Sequence, residues 1–355
     1  MSNGSEPVTD GGVDEAIERA VGFLHRSQLP SGEFRSYLST DHELERDRVF
    51  DSSPFPTALI AYSLGFSGSP LAREMLDRAV RFFLAEMEPP GVWRYWTRGH
   101  RYRSTIPADL DDVACVSYVL RREDATFPPN RDLVLAARSP QGLFYTWLAP
   151  RWPAPRSAPY WRVALRHWAN PVKAYYFWKM NESAPGDVDC VVNANVLFYL
   201  GEGPDTAAVA DYLVGVFRSG REGCCDKWHL NRFMFQYVVA RCFDAGAAAL
   251  GAIRDEAVAR IAAAANPDGS IGASELETAL AVCALLSWRA APPELERAVR
   301  FLLAAQRPEG DWRATSLYFG GPEKYFGWGS EELTTGFCLE ALCRRFASPS
   351  PWPST

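Results

Sequence analysis

Hydrophobic positions along the chain fall into two alternating kinds of segment. Residues 13–28, 71–87, 131–138, 205–219, 253–266 and 293–306 space apolar residues three and four apart among Arg, Glu and Asp. That is the pattern of a helix with one buried face; Ala16, Ala20, Phe23 and Leu24 form the stripe of the first. Residues 54–66, 108–120, 188–200, 228–243, 275–288 and 331–344 are more uniformly apolar, as in Ala279-Leu280-Ala281-Val282-Cys283-Ala284-Leu285-Leu286. A helix without a polar face has to be enclosed by protein. Short linkers make consecutive helices antiparallel neighbours. Six enclosed helices ringed by six amphipathic ones predict an all-α (α/α)6 barrel, a toroid whose inner helices are parallel and bring their N-termini to one rim. No strand pattern competes.

Short turns follow the outer helices in phase: Gly32-Glu33-Phe34, Gly91-Val92-Trp93, Gly142-Leu143-Phe144, Gly269-Ser270-Ile271 and Gly310-Asp311-Trp312. A helix C-cap explains each glycine singly, but not the recurrence. Gln306-Arg307-Pro308-Glu309-Gly310-Asp311-Trp312 fits QxxxGxW, and Gln28-Leu29-Pro30-Ser31-Gly32-Glu33-Phe34 fits QxxxGxF. Both resemble the QW repeats of triterpene cyclases. The resemblance implies a structural role, with the Gln amide bonding backbone at helix ends and the ring stacking on it.

Composition narrows the reading further. Hydrophobic residues make up 47% of the 355, enough for a large core, and the net charge of -6 argues against a nucleic-acid partner. The eight cysteines are scattered through apolar runs and read as reduced core residues of a cytoplasmic protein. Residues 1–12 are polar, show no signal peptide and are expected to be disordered, as is the Pro/Ser-rich tail 346–355. Residues 13–345 are expected to form one domain, and the longest apolar stretch is too short to span a bilayer.

Chemistry concentrates where the second inner helix begins, at Pro107-Ala108-Asp109-Leu110-Asp111-Asp112-Val113-Ala114. Acidic residues are common in a first helical turn because they satisfy free N–H groups and meet the helix dipole. Three within four residues, at the mouth of an apolar barrel, suggest more. Crowded carboxylates cannot all ionise cheaply, so a proton is retained, while the helix N-terminus makes it more reactive. That combination suits protonation of a carbon–carbon double bond.

The segment resembles the DxDD motif of class II terpene cyclases, such as squalene–hopene cyclase and the diterpene cyclases. The resemblance runs along most of the chain and implies that Asp111 delivers the proton while Asp109 and Asp112 orient it and share charge. Asp187-Val188-Asp189-Cys190-Val191-Val192-Asn193-Ala194-Asn195 is similar to the next helix of squalene–hopene cyclases, where an Asp precedes by one turn a His bonded to the acid. Asp189 and Asn193 stand in those places; with Asn for His, reprotonation takes another route. Asn193 and Asn195 also suit plain polar packing. Trp228-His229-Leu230-Asn231-Arg232-Phe233 resembles a W-G-V-N-Y segment, which implies Trp228 as a cation-stabilising ring and Asn231 beside it. Glu277-Thr278-Ala279-Leu280-Ala281 resembles a Q-T-A-W-A segment. Phe55, Tyr325, Phe326 and Trp328, near the starts of the first and last inner helices, are expected to line the cavity.

The chain also departs from those enzymes, which carry a second helical domain. The insertion 145–186 is the expected lid: it interleaves Trp147, Trp152, Tyr160, Trp161, Trp168, Tyr175, Tyr176, Phe177 and Trp178 with Arg151, Arg156, Arg162, Arg166, Lys173 and Lys179. Covering the cavity, touching a membrane surface, binding a diphosphate and packing as a plain helical excursion all remain open for it. A second basic run, Arg94, Arg98, Arg101 and Arg103, offers Arg98 and Arg103 for a diphosphate head group. There is no DDxxD motif, so no cofactor is expected beyond Mg2+ carried by a substrate diphosphate. The expected partner is a polyprenyl small molecule. Two alternatives stay open: a zinc enzyme resembling protein prenyltransferase β subunits or lanthionine cyclases, with Cys190, Cys224, Cys225 and His229 as ligands, and a non-catalytic toroid binding a lipid or protein.

Overall fold

The computed structural model describes residues 10–152, 155–167 and 171–346. Residues 1–9, 347–355 and Trp168 of the insertion lie outside the described residues. The chain opens with α1 (Asp10–Ser27), α2 (Pro54–Leu64), α3 (Pro70–Glu86), α4 (Leu110–Arg122) and the short α5 (Arg131–Leu135). The insertion carries α6 (Ala158–His167) and α7 (Pro171–Met180). Then come α8 (Cys190–Leu200), α9 (Ala207–Arg218), α10 (Arg232–Asp244), α11 (Arg254–Ala262), α12 (Glu275–Ser287), α13 (Pro293–Ala305) and α14 (Glu331–Phe346). Two expectations of disorder are corrected: residues 10–12 belong to α1 and Phe346 to α14.

The uniformly apolar segments are the inner ring. α2 packs on α4, α4 on α8, α8 on α10, α10 on α12, α12 on α14, and α14 closes on α2. Every residue of α2 is buried, as enclosure requires. Ser53 caps α2, Asp109 caps α4, Asn231 caps α10 and Ser274 caps α12, each accepting a backbone N–H of the first turn.

The phased turns tie the outer ring together. Gln306 Nε2 donates to Gly310 O and to Ala16 O of α1, both at 2.9 Å. Gln28 Nε2 donates to Gly32 O (2.9 Å) and to Met75 O of α3 (3.0 Å). Gly310 (φ +94°) lies against α1 so closely that a Cβ would stand 2.3 Å from Arg19 O, and at Gly32 it would stand 2.2 Å from Arg78 O. Each glycine is therefore required by the neighbouring outer helix as well as by its own backbone. Trp312 is fully buried and its Nε1 donates to Leu302 O at 2.8 Å. Trp312→Ala is expected to cost about 3–5 kcal/mol of stability, measured by urea unfolding; a loss below about 1 kcal/mol would contradict this tie.

Strands do occur, against expectation. β1 (Tyr37–Ser39), β2 (Val49–Phe50), β3 (Tyr318–Gly320) and β4 (Phe326–Gly329) form an antiparallel sheet in the order β2-β1-β4-β3. Strands of two to four residues are too short for alternation to register. This sheet carries Tyr318 and Trp328 to the rim where the inner helices begin.

One cysteine pair corrects the all-reduced reading. Cys190 and Cys225 form a disulfide, with Cα atoms 5.7 Å apart. They stand 35 residues apart in sequence, and only the return of the loop before α10 over the start of α8 brings them together. Cys115, Cys242, Cys283, Cys338 and Cys343 are free and buried, and Cys224 is free and exposed.

Candidate active site

The rim holds a pocket whose empty space, counted out through its open mouth, is about 650 Å³. Asp109, Asp111 and Asp112 all line it. Asp109 is the N-cap of α4, its Oδ1 accepting from Asp112 N at 2.8 Å. Its position is pinned from outside the helix: Leu110 N donates to Thr146 O (2.8 Å) and Leu148 N to Ala108 O (2.9 Å), so the start of the insertion lies along the acid segment. Burial pushes the Asp109 carboxyl up to about 7. Burial, followed by the negative charge of Asp109, holds the Asp112 carboxyl well above its ordinary value. No N–H or O–H reaches either Asp112 oxygen, and its carboxyl stands beside that of Asp109. Two buried carboxyls this close do not both ionise cheaply, which favours a proton retained on the pair.

Asp111 is held differently. Asn195 Nδ2 on α8 donates to its Oδ1 at 2.5 Å, and His229 Nε2 stands 3.3 Å from its Oδ2. His229 is placed by Asp226, whose Oδ1 accepts the backbone N–H groups of Trp228 and His229, both at 2.8 Å. Asp226 Oδ2 accepts Val191 N at 3.0 Å, which fastens that turn to the start of α8. Burial opposes a charge on His229, but the bond to Asp111 and the charge of Asp226 outweigh it and raise the imidazole's pKa.

The remaining walls are aromatic. Phe55, Tyr318 and His229 meet with ring centroids 5.6–5.9 Å apart. Tyr318 stacks on Trp328 at 5.8 Å, and Tyr95 meets both edge-on. Buried Asp51, itself outside the cavity, anchors this wall: it accepts Trp328 Nε1 (2.7 Å), Trp96 Nε1 (3.0 Å) and the Tyr95 hydroxyl (3.3 Å). Trp147, Trp228 and Phe177 make the wall toward the insertion, with Trp147 edge-on to each of the other two. Three carboxyls thus face a hollow lined with aromatic rings, the setting in which a strong acid meets a hydrocarbon and a developing cation meets π faces.

No family model matches the chain, and no curated protein matches it by sequence. Solved structures do match. The chain superposes on the type II terpene cyclase MstE from Scytonema, in a structure holding its substrate geranylgeranyl dihydroxybenzoate. The TM-score is 0.70 at 16% identity, over 94% of this chain and 97% of that one. Its fold is that of the type II terpene cyclases. A protein from Actinoplanes superposes at a TM-score of 0.68 and 17% identity, covering 94% of this chain and 99% of that chain. The ent-copalyl diphosphate synthase from Streptomyces platensis does so at 0.56 and 19% identity; 82% of this chain aligns, and it spans only 50% of the synthase. The toroid fold of these structures is formed here by one barrel, with the short strands and residues 145–186 at the rim where the acid helix begins.

Within this toroid several expected residues converge and others do not. Asp109, Asp111, Asp112, Phe55, Trp228 and Trp328 line the cavity. Asn193 does not reach the acid: its Oδ1 accepts Phe144 N (2.8 Å) and its Nδ2 donates to Phe144 O (2.9 Å). Asn195, two residues on and so on another helix face, makes the bond expected of Asn193. Asp189 accepts the Thr146 hydroxyl (2.7 Å) and Lys227 N (3.0 Å), clamping two loops behind the cavity wall; burial, followed by Asp226, pushes its carboxyl up to about 7. Asn231 caps α10 and donates to Glu277 at 2.8 Å. Tyr325 is exposed, and Phe326 packs on Tyr325 and Trp328 outside the lining. Arg98 and Arg103 also stay outside: Arg103 pairs with Glu88 (2.6 Å) and Glu86 (3.4 Å), and Arg98 donates to Met87 O. Sequence reasoning missed Tyr95, Trp96, Ile106 and Thr146, which sit in irregular connections without a motif, and met His229 only as a zinc ligand. The transverse partners of Asp111 leave no local mark in the chain.

Proposed function

We propose that this protein is a class II-type cyclase of a polyprenyl substrate, with Asp111 as the general acid. One arrangement carries the reading: three carboxyls, two of them buried and pushed above the ordinary carboxylate range, line a pocket walled by aromatic rings. Asp111 protonates a terminal alkene or epoxide, the prenyl chain folds against Phe55, Trp228, Tyr318 and Trp328, and ring closure proceeds through cations until a proton is lost. Exclusion of water prevents early quenching. Likeness to MstE, solved with a geranylgeranyl dihydroxybenzoate, and to ent-copalyl diphosphate synthase supports a prenyl chain bearing an aromatic or diphosphate head group. Mg2+ is expected only as the companion of a diphosphate. The zinc alternative loses support: Cys190 and Cys225 are joined to each other, His229 faces Asp111, and the described residues contain no group of three or more metal-binding side chains.

The test is incubation with C15, C20 and C30 polyprenyl substrates, as diphosphates, hydroxybenzoates and free hydrocarbons, read by mass spectrometry. A cyclic product of unchanged mass is expected from at least one. Linear material alone from all of them would refute the reading.

The insertion supplies the entry side. Its α7 turns Phe177 into the cavity and leaves Val172, Tyr175, Tyr176 and Met180 exposed. Residues 145–180 contain no Asp or Glu in a chain of net charge -6. An apolar face with basic flanks suits an anionic lipid surface. No helix among the described residues is long and apolar enough to cross a membrane, so the contact is peripheral. Sedimentation with phosphatidylserine vesicles is expected to carry the protein down, and high salt to release it; equal recovery with neutral vesicles would contradict the electrostatic part.

A further inference from the structure

A buried cation beneath the acid cluster has no part in the scheme above. Arg241 of α10 lies inside the barrel, 3% exposed. Its charge faces the rings of Phe198, Tyr62 and Tyr237 at 4.3, 4.9 and 5.2 Å, and its Nε has no hydrogen-bond partner. Its Nη2 donates to Asn195 Oδ1 at 2.5 Å. The other end of the same amide, Asn195 Nδ2, donates to Asp111 Oδ1, also at 2.5 Å. Enclosing a guanidinium without a carboxylate is costly. Packing alone would be met as well by an apolar side chain.

The chemistry of the three groups gives the arrangement a direction. An amide has one accepting end and one donating end, and a guanidinium only donates. Arg241 therefore takes the carbonyl of Asn195, and the NH2 is left for Asp111. With the amide reversed, NH2 would face N–H, and the carbonyl would face the carboxyl. Oδ1 is committed to accepting from Asn195, whose NH2 can only donate. A proton on Asp111 is therefore placed on Oδ2, 3.3 Å from His229 Nε2, which accepts it when the ring is neutral.

We propose that Arg241 is a positioning residue for the acid: by holding the carbonyl of Asn195 it selects the oxygen of Asp111 that carries the transferable proton. The proposal rests on Asp111 being the proton donor. It predicts that Arg241 acts through Asn195 and not independently of it.

A double-mutant cycle with the prenyl substrate that wild type converts tests this. Arg241→Met and Asn195→Leu should each lower kcat about 10- to 100-fold, the worth of one hydrogen bond to a charged group. The double variant should be no slower than Asn195→Leu alone. Arg241→Lys, also donor-only, should stay within about threefold of wild type. If Arg241→Met does not fold, Arg241→Gln takes its place, since Gln offers either end of an amide and imposes no direction. A full Arg241 penalty persisting in the Asn195→Leu background overturns the proposal. A second readout needs no turnover. The Asn195 side-chain NH2 resonance, assigned by its loss in Asn195→Leu, should exchange with solvent at least about tenfold faster in Arg241→Met than in wild type. Unchanged exchange also overturns it. A wild type that converts no prenyl substrate defeats the cyclase reading alone, and amide exchange still decides the role of Arg241.

Discussion

Asp111→Asn is expected to abolish cyclisation, with turnover down about 10³-fold or more, because a positioned acid is worth about 10²–10⁴ and an alkene offers no easier way to start. Asn keeps the size of the side chain and its bond to Asn195 or His229, so the fold should survive. Thermal unfolding checks that. Product formation by mass spectrometry with the converted substrate reads the effect. Cyclic product at the wild-type rate would remove Asp111 from the chemistry. The neighbouring carboxyls would not explain such a result as substitutes. They face each other, and only Asp111 meets both Asn195 and His229.

Asp112→Asn is expected to move stability and activity in opposite directions. Burial pushes Asp109, Asp189, Glu33 and Glu332 up to about 7 and Asp112 well above its ordinary value. The ordinary values are 3.8 for Asp and 4.5 for Glu. Between those values and about 7, the folded protein holds protons that the unfolded chain has released. The stability these groups contribute is complete below the lower values and is lost as pH rises through about 7. Glu88 acts the other way. Despite burial, Arg94 and Arg103 hold its carboxyl below the ordinary range, so its contribution is lost in acid. Thermal stability should therefore peak on the acidic side of neutrality and decline toward about pH 8. In Asp112→Asn the amide donates to Asp109, and the pair no longer has to hold a proton to avoid two buried charges. Tm near pH 8 should rise by a few degrees, while turnover falls about 10- to 100-fold because the shared proton is gone. The wild-type rate should also fall as pH rises through about 7, where Asp109 gives up its proton. Calorimetry across that range, with turnover in parallel, checks both. A Tm that climbs steadily to pH 8 would refute the account of the buried carboxyls.

Much of this molecule is local. The helices of both rings follow from spacing and from caps such as Ser53, Asp109 and Ser274, whose side chains meet N–H groups two or three residues away. The phased turns at Gln28 and Gln306 state the joining of outer helices, because each tie uses the same glycine and amide. The Asp109–Asp112 segment is equally plain, since its crowding lies within one helical turn.

Other features depend on chains that are far apart in sequence. Asn195 and Asn193 differ by two positions and look alike in the sequence, yet the roll of α8 sends one to the acid and the other to the Phe144 turn. Arg98 and Arg103 have the charge for a diphosphate, but Glu86 and Glu88 already hold Arg103, and the Arg98 guanidinium is turned to Met87 O. The short strands, the Cys190–Cys225 link and the Asp51 anchor join segments far apart in the chain, as where Tyr37 pairs with Gly329. Periodicity and capping act over a few residues, so the chain announces its barrel and its acid wherever such short-range forces suffice. The oxygen that bears the proton, the rings that face a cation and the cations that stay free are settled by contacts between distant segments, and those exist once the ring of helices has closed.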